Sequence, residues 1–152
     1  MVVKYSKKLM GTEHITNNFQ ISEFACKDGT DPILINIDLV LILQKIRDKY
    51  GAIKVISAYR TEDYNISCGG SKKSLHLTGN AIDFALVKNN TTSTLLEIVH
   101  LLIEEFNIKG IGLYINRNIE FIHFDGRENP TFWINDNKKQ EYIKDFNNIK
   151  YV

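Results

Sequence analysis

The chain has 152 residues, 43% hydrophobic and 24% charged, which favours one domain with enough material to bury a core. Lys plus Arg number 19 against 18 Asp plus Glu, and the resulting net charge of +1 gives no electrostatic basis for a nucleic acid or an anionic membrane as partner. No run approaches the roughly 20 apolar residues that span a bilayer. The N-terminal "MVVKYSKKLMGTEH" lacks the apolar core and small-residue site of a signal peptide, so synthesis as a soluble cytoplasmic chain is expected. Cys26 and Cys68 are too few for a disulfide framework, although one bridge between them stays open. Neither belongs to a CxxC pair, which argues against a zinc–thiolate site.

In chain order, the first clear element is a helix over "DLVLILQKIRDKYG". Leu39, Ile42, Leu43, Ile46 and Tyr50 recur on one stripe, and Gly51 stands where a helix C-terminus wants a left-handed residue. "IKVISAY", Ile53 to Tyr59, follows as a β-branched strand. Residues 61–78 then have little apolar periodicity and contain "CGGSKKS", so they read as a long polar loop of the kind that carries function. "AIDFAL" alternates, with Ile82, Phe84 and Leu86 on one face and Ala81, Asp83 and Ala85 on the other. A second helix, "TLLEIVHLLIEEF", opens on a capping box of Thr94 and Glu97. "GIGLYI" and "IEFIHF" complete the pattern as two strands joined by a turn at Asn116, Arg117 and Asn118. The layout predicts an α+β domain whose small, mostly antiparallel sheet is flanked by helices.

The chemistry concentrates in "SLHLTGNAIDF". On the alternation above, Asp83 leaves its strand among small residues, which leaves space beyond the carboxylate. His76 precedes the strand, and Gly79 lets the backbone turn so that the two side chains converge. Taken singly, each reads as an ordinary surface or hydrogen-bonded residue. A third group changes that reading. His14 sits in a polar segment and His100 shares a helix face with Glu97 and Glu104, but His123 is set among Phe121, Ile122 and Phe124 and needs a partner. His76, Asp83 and His123 supply two nitrogens and one oxygen, the ligand count of a catalytic zinc site with its fourth position open. Such a site also needs a base, and Glu120 lies three residues before His123. In a flat strand those positions face opposite ways, so a bulge or the strand's end between them is required. Arg60, at a strand end, is a candidate for holding a substrate carboxylate or an oxyanion.

These residues carry a resemblance. "SAYRT", "SLHLTGNAID" and "EFIHFD" resemble the zinc D-alanyl-D-alanine carboxypeptidase family, which includes vancomycin-resistance carboxypeptidases and dipeptidases and many phage endolysins, and which shares its fold with the hedgehog signalling domain. The pattern S-x-H-x-x-G-x-A-x-D is met at Ser74, His76, Gly79, Ala81 and Asp83, and the similarity runs from about residue 19 to about residue 127. It implies that His76, Asp83 and His123 bind one zinc ion per chain. It further implies that Glu120 is the general base, with its geometry solved by the family fold, and that Arg60 and Ser74 orient the substrate. The expected activity is hydrolysis of bacterial peptidoglycan stem peptides by a monomer, most simply at D-Ala-D-Ala. The alternatives are an endopeptidase cutting between L-Ala and D-Glu, a non-catalytic hedgehog-like metal module, and a phage structural component. A phage endolysin released through a holin pore reconciles a chain without a signal peptide with a substrate outside the membrane. Asp125 is expected either to orient His123 or to form a plain salt bridge with Arg127, and Trp133 to pack over the sheet.

Overall fold

Alternation along the central strands decides which way every side chain of the sheet faces. The structure is a computed structural model and describes residues 1–147. In chain order the elements are β1 (Val2–Tyr5), α1 (Lys7–Met10), β2 (His14–Thr16), β3 (Phe19–Gln20), β4 (Ile33–Asn36), α2 (Ile37–Tyr50), β5 (Ile53–Ser57), α3 (Glu62–Ser67), β6 (Ala81–Leu86), α4 (Thr92–Glu104), β7 (Gly110–Tyr114), β8 (Phe121–Asp125), β9 (Thr131–Asn135) and β10 (Gln140–Ile143). Short 3-10 turns occupy Ile21–Phe24 and Leu75–Thr78.

The main sheet has six strands in the order β10-β9-β7-β8-β6-β5. Every pairing in it is antiparallel except β7 with β9, which is parallel. Ile82, Phe84, Leu86, Ile111, Leu113, Ile122 and Phe124 are buried on the face that meets α2 and α4. Each such side chain contributes about 1.5–3 kcal/mol when fully removed from water. The helices present the expected stripes, with Leu39, Leu43 and Ile46 buried on α2 and Leu95, Ile98, Val99 and Leu102 on α4. This is the α+β architecture that the periodicity predicts.

Three local details differ from the expectation. The helix α4 starts three residues early, because the hydroxyl of Thr91, not Thr94, accepts from the Thr94 N–H as the cap. The strand β5 ends at Ser57, and residues 61–78 are not one loop but hold α3 and a 3-10 turn. A short helix of this kind has too few turns to show a 3.6-residue period. Cys26 is buried and Cys68 exposed, and both thiols are free. Among the described residues no helix is long and apolar enough to cross a membrane.

Candidate metal centre

The opposite face of the sheet is lined by small residues, and this is what opens a cleft there. Ala81, Asp83 and Ala85 alternate with the core residues on β6, and Gly110 and Gly112 occupy the matching positions on β7. A Cβ on Gly112 would collide with the indole of Trp133, and one on Gly110 with the carboxylate of Asp125. Glycine at those two positions therefore lets β9 and the Asp125–Arg127 pair lie close across the sheet. Asp83 pairs directly with His123 across β6 and β8, so their side chains rise from neighbouring backbone on the same face.

His76 arrives from outside the sheet. It sits in the 3-10 turn Leu75–Thr78, which Ser74 caps by accepting from the His76 N–H. Gly79 closes the turn with φ of 69°, a left-handed conformation, and its α-carbon packs against the backbone of Leu34 so tightly that a Cβ would not fit. The carbonyl of His76 accepts from the Arg60 N–H at 3.0 Å, which ties the turn to the end of β5.

Three ligand atoms converge. His76 Nε2 lies 3.2 Å from His123 Nδ1 and 3.2 Å from Asp83 Oδ1, and His123 Nδ1 lies 2.7 Å from the same carboxylate oxygen. A tetrahedral ion with ligand bonds of about 2.0–2.2 Å needs ligand spacings of roughly 3.3–3.5 Å, so the two edges at His76 need to open by about 0.1–0.3 Å and the His123–Asp83 edge by about 0.6–0.8 Å. The three residues are 2%, 4% and 8% exposed for His76, Asp83 and His123.

The outward sides of the ligands are fixed as well. His76 Nδ1 lies 2.5 Å from the carbonyl of Ala58. A carbonyl only accepts, so this nitrogen carries the proton and Nε2 keeps its lone pair for a metal. His123 Nε2 donates to Asp125 Oδ2 at 2.9 Å, which frees Nδ1 in the same way. Arg60 Nη2 donates to Asp83 Oδ2 at 2.9 Å while its Nε donates to Ser57 Oγ at 2.8 Å, leaving Oδ1 of Asp83 to face the triangle.

Electrostatics favour a cation at this point. Burial alone would raise the Asp83 carboxyl, but the two histidines beside it hold it well below the usual carboxylate range. Burial likewise works to lower His123, yet its hydrogen bonds to Asp125 and Asp83 win and push it up to about 9. Asp125 is lowered to about 2, because hydrogen bonds from His123 and Arg127 outweigh the effect of burial. Surroundings that stabilise a proton on His123 stabilise a divalent ion in its place.

The triangle forms the floor of an open cleft of about 690 Å³. Arg60, Ser74, Tyr114, Arg127, Trp133 and Tyr142 stand in its walls. Five of the six residues singled out in the sequence thus meet here: His76, Asp83, His123, Arg60 and Ser74. Glu120 does not. Its carboxylate accepts from the Thr92 hydroxyl at 2.6 Å and the Asn116 N–H at 3.0 Å, and it does not line the cleft. β8 begins at Phe121, so the strand's end falls between Glu120 and His123, and β7 and β8 pair without a bulge from Tyr114–Phe121 to Gly110–Asp125. With its carboxylate held by Thr92 and Asn116, Glu120 stands outside the cleft in this structure.

Trp133 also departs from simple packing. It is 7% exposed, but its ring lies 5.0 Å from that of His123 and its Nε1 donates to the Tyr114 hydroxyl, so it walls the ligand that it covers. The guanidinium of Arg127 sits 5.3 Å above it and grips Asp125 through Nε and Nη2. Asp125 thus does both jobs the sequence offered, orienting His123 and pairing with Arg127. Alternation from His123 signals Asp125, but nothing local signals Tyr114 or Tyr142, which reach the cleft through long-range pairing. His14 is exposed and His100 half-buried on α4, both apart from the cluster.

Two nitrogens and a carboxylate oxygen at the floor of an open cleft are what a metal-dependent hydrolase requires, and fold and site together define that class. The sequence narrows it. Residues 13–125 match the family described as Peptidase M15, a span covering most of the chain, and the protein belongs to that family of metallopeptidases. No curated protein matches the chain.

Proposed function

We propose that the protein is a zinc peptidase, with one zinc ion per chain, that hydrolyses peptidoglycan stem peptides at D-Ala-D-Ala. The observation that carries this reading is the ligand triangle of His76, Asp83 and His123, held by outer hydrogen bonds yet open to a cleft. A zinc ion held there would polarise a scissile carbonyl and bring the pKa of a water near 7. The protein's own groups do the positioning. Arg60 holds Asp83 with one arm, and its position in the cleft wall suits it to bind a substrate carboxylate or oxyanion with its remaining donors. Ser74, whose oxygen already accepts from the turn, has its hydroxyl proton free to donate to substrate. Asp125 keeps the proton of His123 on Nε2, and Trp133 covers that ring from solvent. Glu120 has no part in this scheme as placed.

The endopeptidase alternative, cutting between L-Ala and D-Glu, draws support from a second cavity of about 760 Å³ that shares Phe121 with the first, which suits a substrate running past the metal. In either case the protein meets its substrate at the cell wall after release, in the manner of a phage endolysin. Digestion of purified peptidoglycan with mass analysis of the products decides among these readings. Release of D-Ala supports the carboxypeptidase, and new termini at D-Glu support the endopeptidase. A zinc-loaded protein that cuts neither bond overturns both and leaves a non-catalytic metal module.

A further inference from the structure

We propose that Lys27, Lys54 and Arg117 form a second subsite on the same sheet face as the metal ligands, built to take a carboxylate of the substrate peptide. This deepens the peptidase reading and rests on it for the identity of the peptide. Strand register places the two sites on one surface. Lys54 pairs with Ala85, which lies two residues beyond Asp83 on β6, and Phe121 lies two residues before His123 on β8. With a side-chain period of two, Lys54, Ala85 and Phe121 share the face of Asp83 and His123. The cavity that Lys54 and Phe121 border continues to Lys27 in the segment between the first 3-10 turn and β4, to Asn116, Arg117 and Asn118 in the β7–β8 turn, and to Ile56.

Its chemistry is one-sided. Lys27, Lys54 and Arg117 line it, no carboxylate does, and none of the three cations forms an ion pair among the described residues. In a chain whose net charge is only +1, that is a local concentration of positive charge. Arg117 is also held ready. Its Nη2 donates to Asn135 Oδ1 at 2.6 Å, and its guanidinium lies 5.1 Å from the Tyr114 ring and 5.6 Å from that of Phe121. Those two rings stack at 4.3 Å, so the arginine is braced on a rigid pair. Its Nε is buried and has no hydrogen-bond partner. A buried donor without an acceptor is costly, and an arriving carboxylate would relieve it.

The rest of the lining fits a peptide. Asn116 and Asn118 offer amides to a main chain, and Ile56, Ile119 and Phe121 offer apolar contact. Phe121 borders both cavities, so a peptide with its scissile bond at the metal passes over this ring into the basic pocket. Stem peptides carry such a carboxylate on their D-Glu residue.

The experiment compares L-Ala-γ-D-Glu-L-Lys-D-Ala-D-Ala with its counterpart in which the D-Glu α-carboxylate is a carboxamide, on the zinc-loaded full chain. Binding is read by calorimetry and cleavage by initial rates. The free acid is expected to bind about ten- to hundredfold tighter, the range of charge-assisted hydrogen bonds. In the Lys27→Gln/Lys54→Gln double variant, both exposed positions, that preference should collapse with zinc content unchanged. Arg117→Lys, which keeps charge but loses the buried Nε, should weaken it in part. Equal affinity for acid and amide in the wild type, or a preference that survives the double variant, overturns the subsite. So does binding of poly(glycerol phosphate) at these lysines without peptide selectivity, which would assign the pocket to a wall polymer. Acid-selective binding without any cleavage upholds the subsite and defeats the peptidase reading; cleavage without selectivity does the reverse.

Discussion

Arg60 donates to one oxygen of Asp83 while the other faces the ligand triangle, so it fixes the carboxylate that would hold a metal. Removing it leaves a buried carboxylate short of a partner and free to rotate. Arg60→Ala is expected to lower zinc affinity by about 10–100-fold, the usual effect of losing an outer-shell partner. Competition with a chromogenic chelator measures it, with His100→Gln as a control that leaves affinity unchanged. Wild-type affinity in Arg60→Ala would remove the residue from the support of the site. Glu120 gives the opposite test. Its two hydrogen bonds brace the β7–β8 turn against the start of α4, so Glu120→Gln should keep most of its hydrolytic rate. Glu120→Ala should cost about 1–2 kcal/mol of stability in urea. A fall of the roughly 10²–10⁴-fold typical of a lost general base in Glu120→Gln would restore it to catalysis through a rearranged turn. At this scale the ligands are legible because polar residues interrupt an apolar alternation. Alternation does not reach Glu120, because β8 begins one residue after it and its direction is set by the hydrogen bonds to Thr92 and Asn116. The Arg60–Asp83 bond is invisible in sequence because it joins positions 23 apart.

Elements show why some of the fold is readable and some is not. The helices α2 and α4 are long enough for their stripes to declare themselves, and β6 alternates cleanly because one face meets the core while the other lines the cleft. The strand β9 is harder, because it pairs parallel to β7 across a long connection and its partner β10 is largely exposed. The turn "NDNKK" between them is the signal that would have found the hairpin. The turn holding His76 depends on a single backbone geometry. Gly79 and Gly69 have nearly the same φ, 69° and 68°, but only Gly79 is hemmed in, by the backbone of Leu34. Gly69→Ala should therefore cost only about 1–2 kcal/mol for its left-handed conformation. Gly79→Ala should cost clearly more and should weaken zinc binding, because relief of the clash moves His76. Matching urea midpoints for the two variants would show that this turn does not set the ligand position.

The molecule as a whole divides at its sheet. One face and its helices hold the apolar core, and the other holds the ligand triangle, which is already framed by hydrogen bonds to Ala58, Asp125 and Arg60. No buried core residue needs the metal for its packing, so the metal-free protein should stay folded. A zinc ion held only by the folded triangle would, however, add stability by mass action. At free zinc about 1,000 times its dissociation constant that gain is about 4 kcal/mol. For a domain of this size each kcal/mol shifts Tm by about 2–4 °C, so chelation should lower Tm by roughly 8–16 °C while leaving the far-UV circular dichroism at 25 °C intact. The His76→Ala/His123→Ala protein should show no zinc-dependent rise in Tm. Hydrolysis should vanish on chelation and return with added zinc, since the fold survives to rebind it. Chelation that unfolds the protein at 25 °C would mean that the metal holds the two faces together, the behaviour of a structural site rather than a catalytic one.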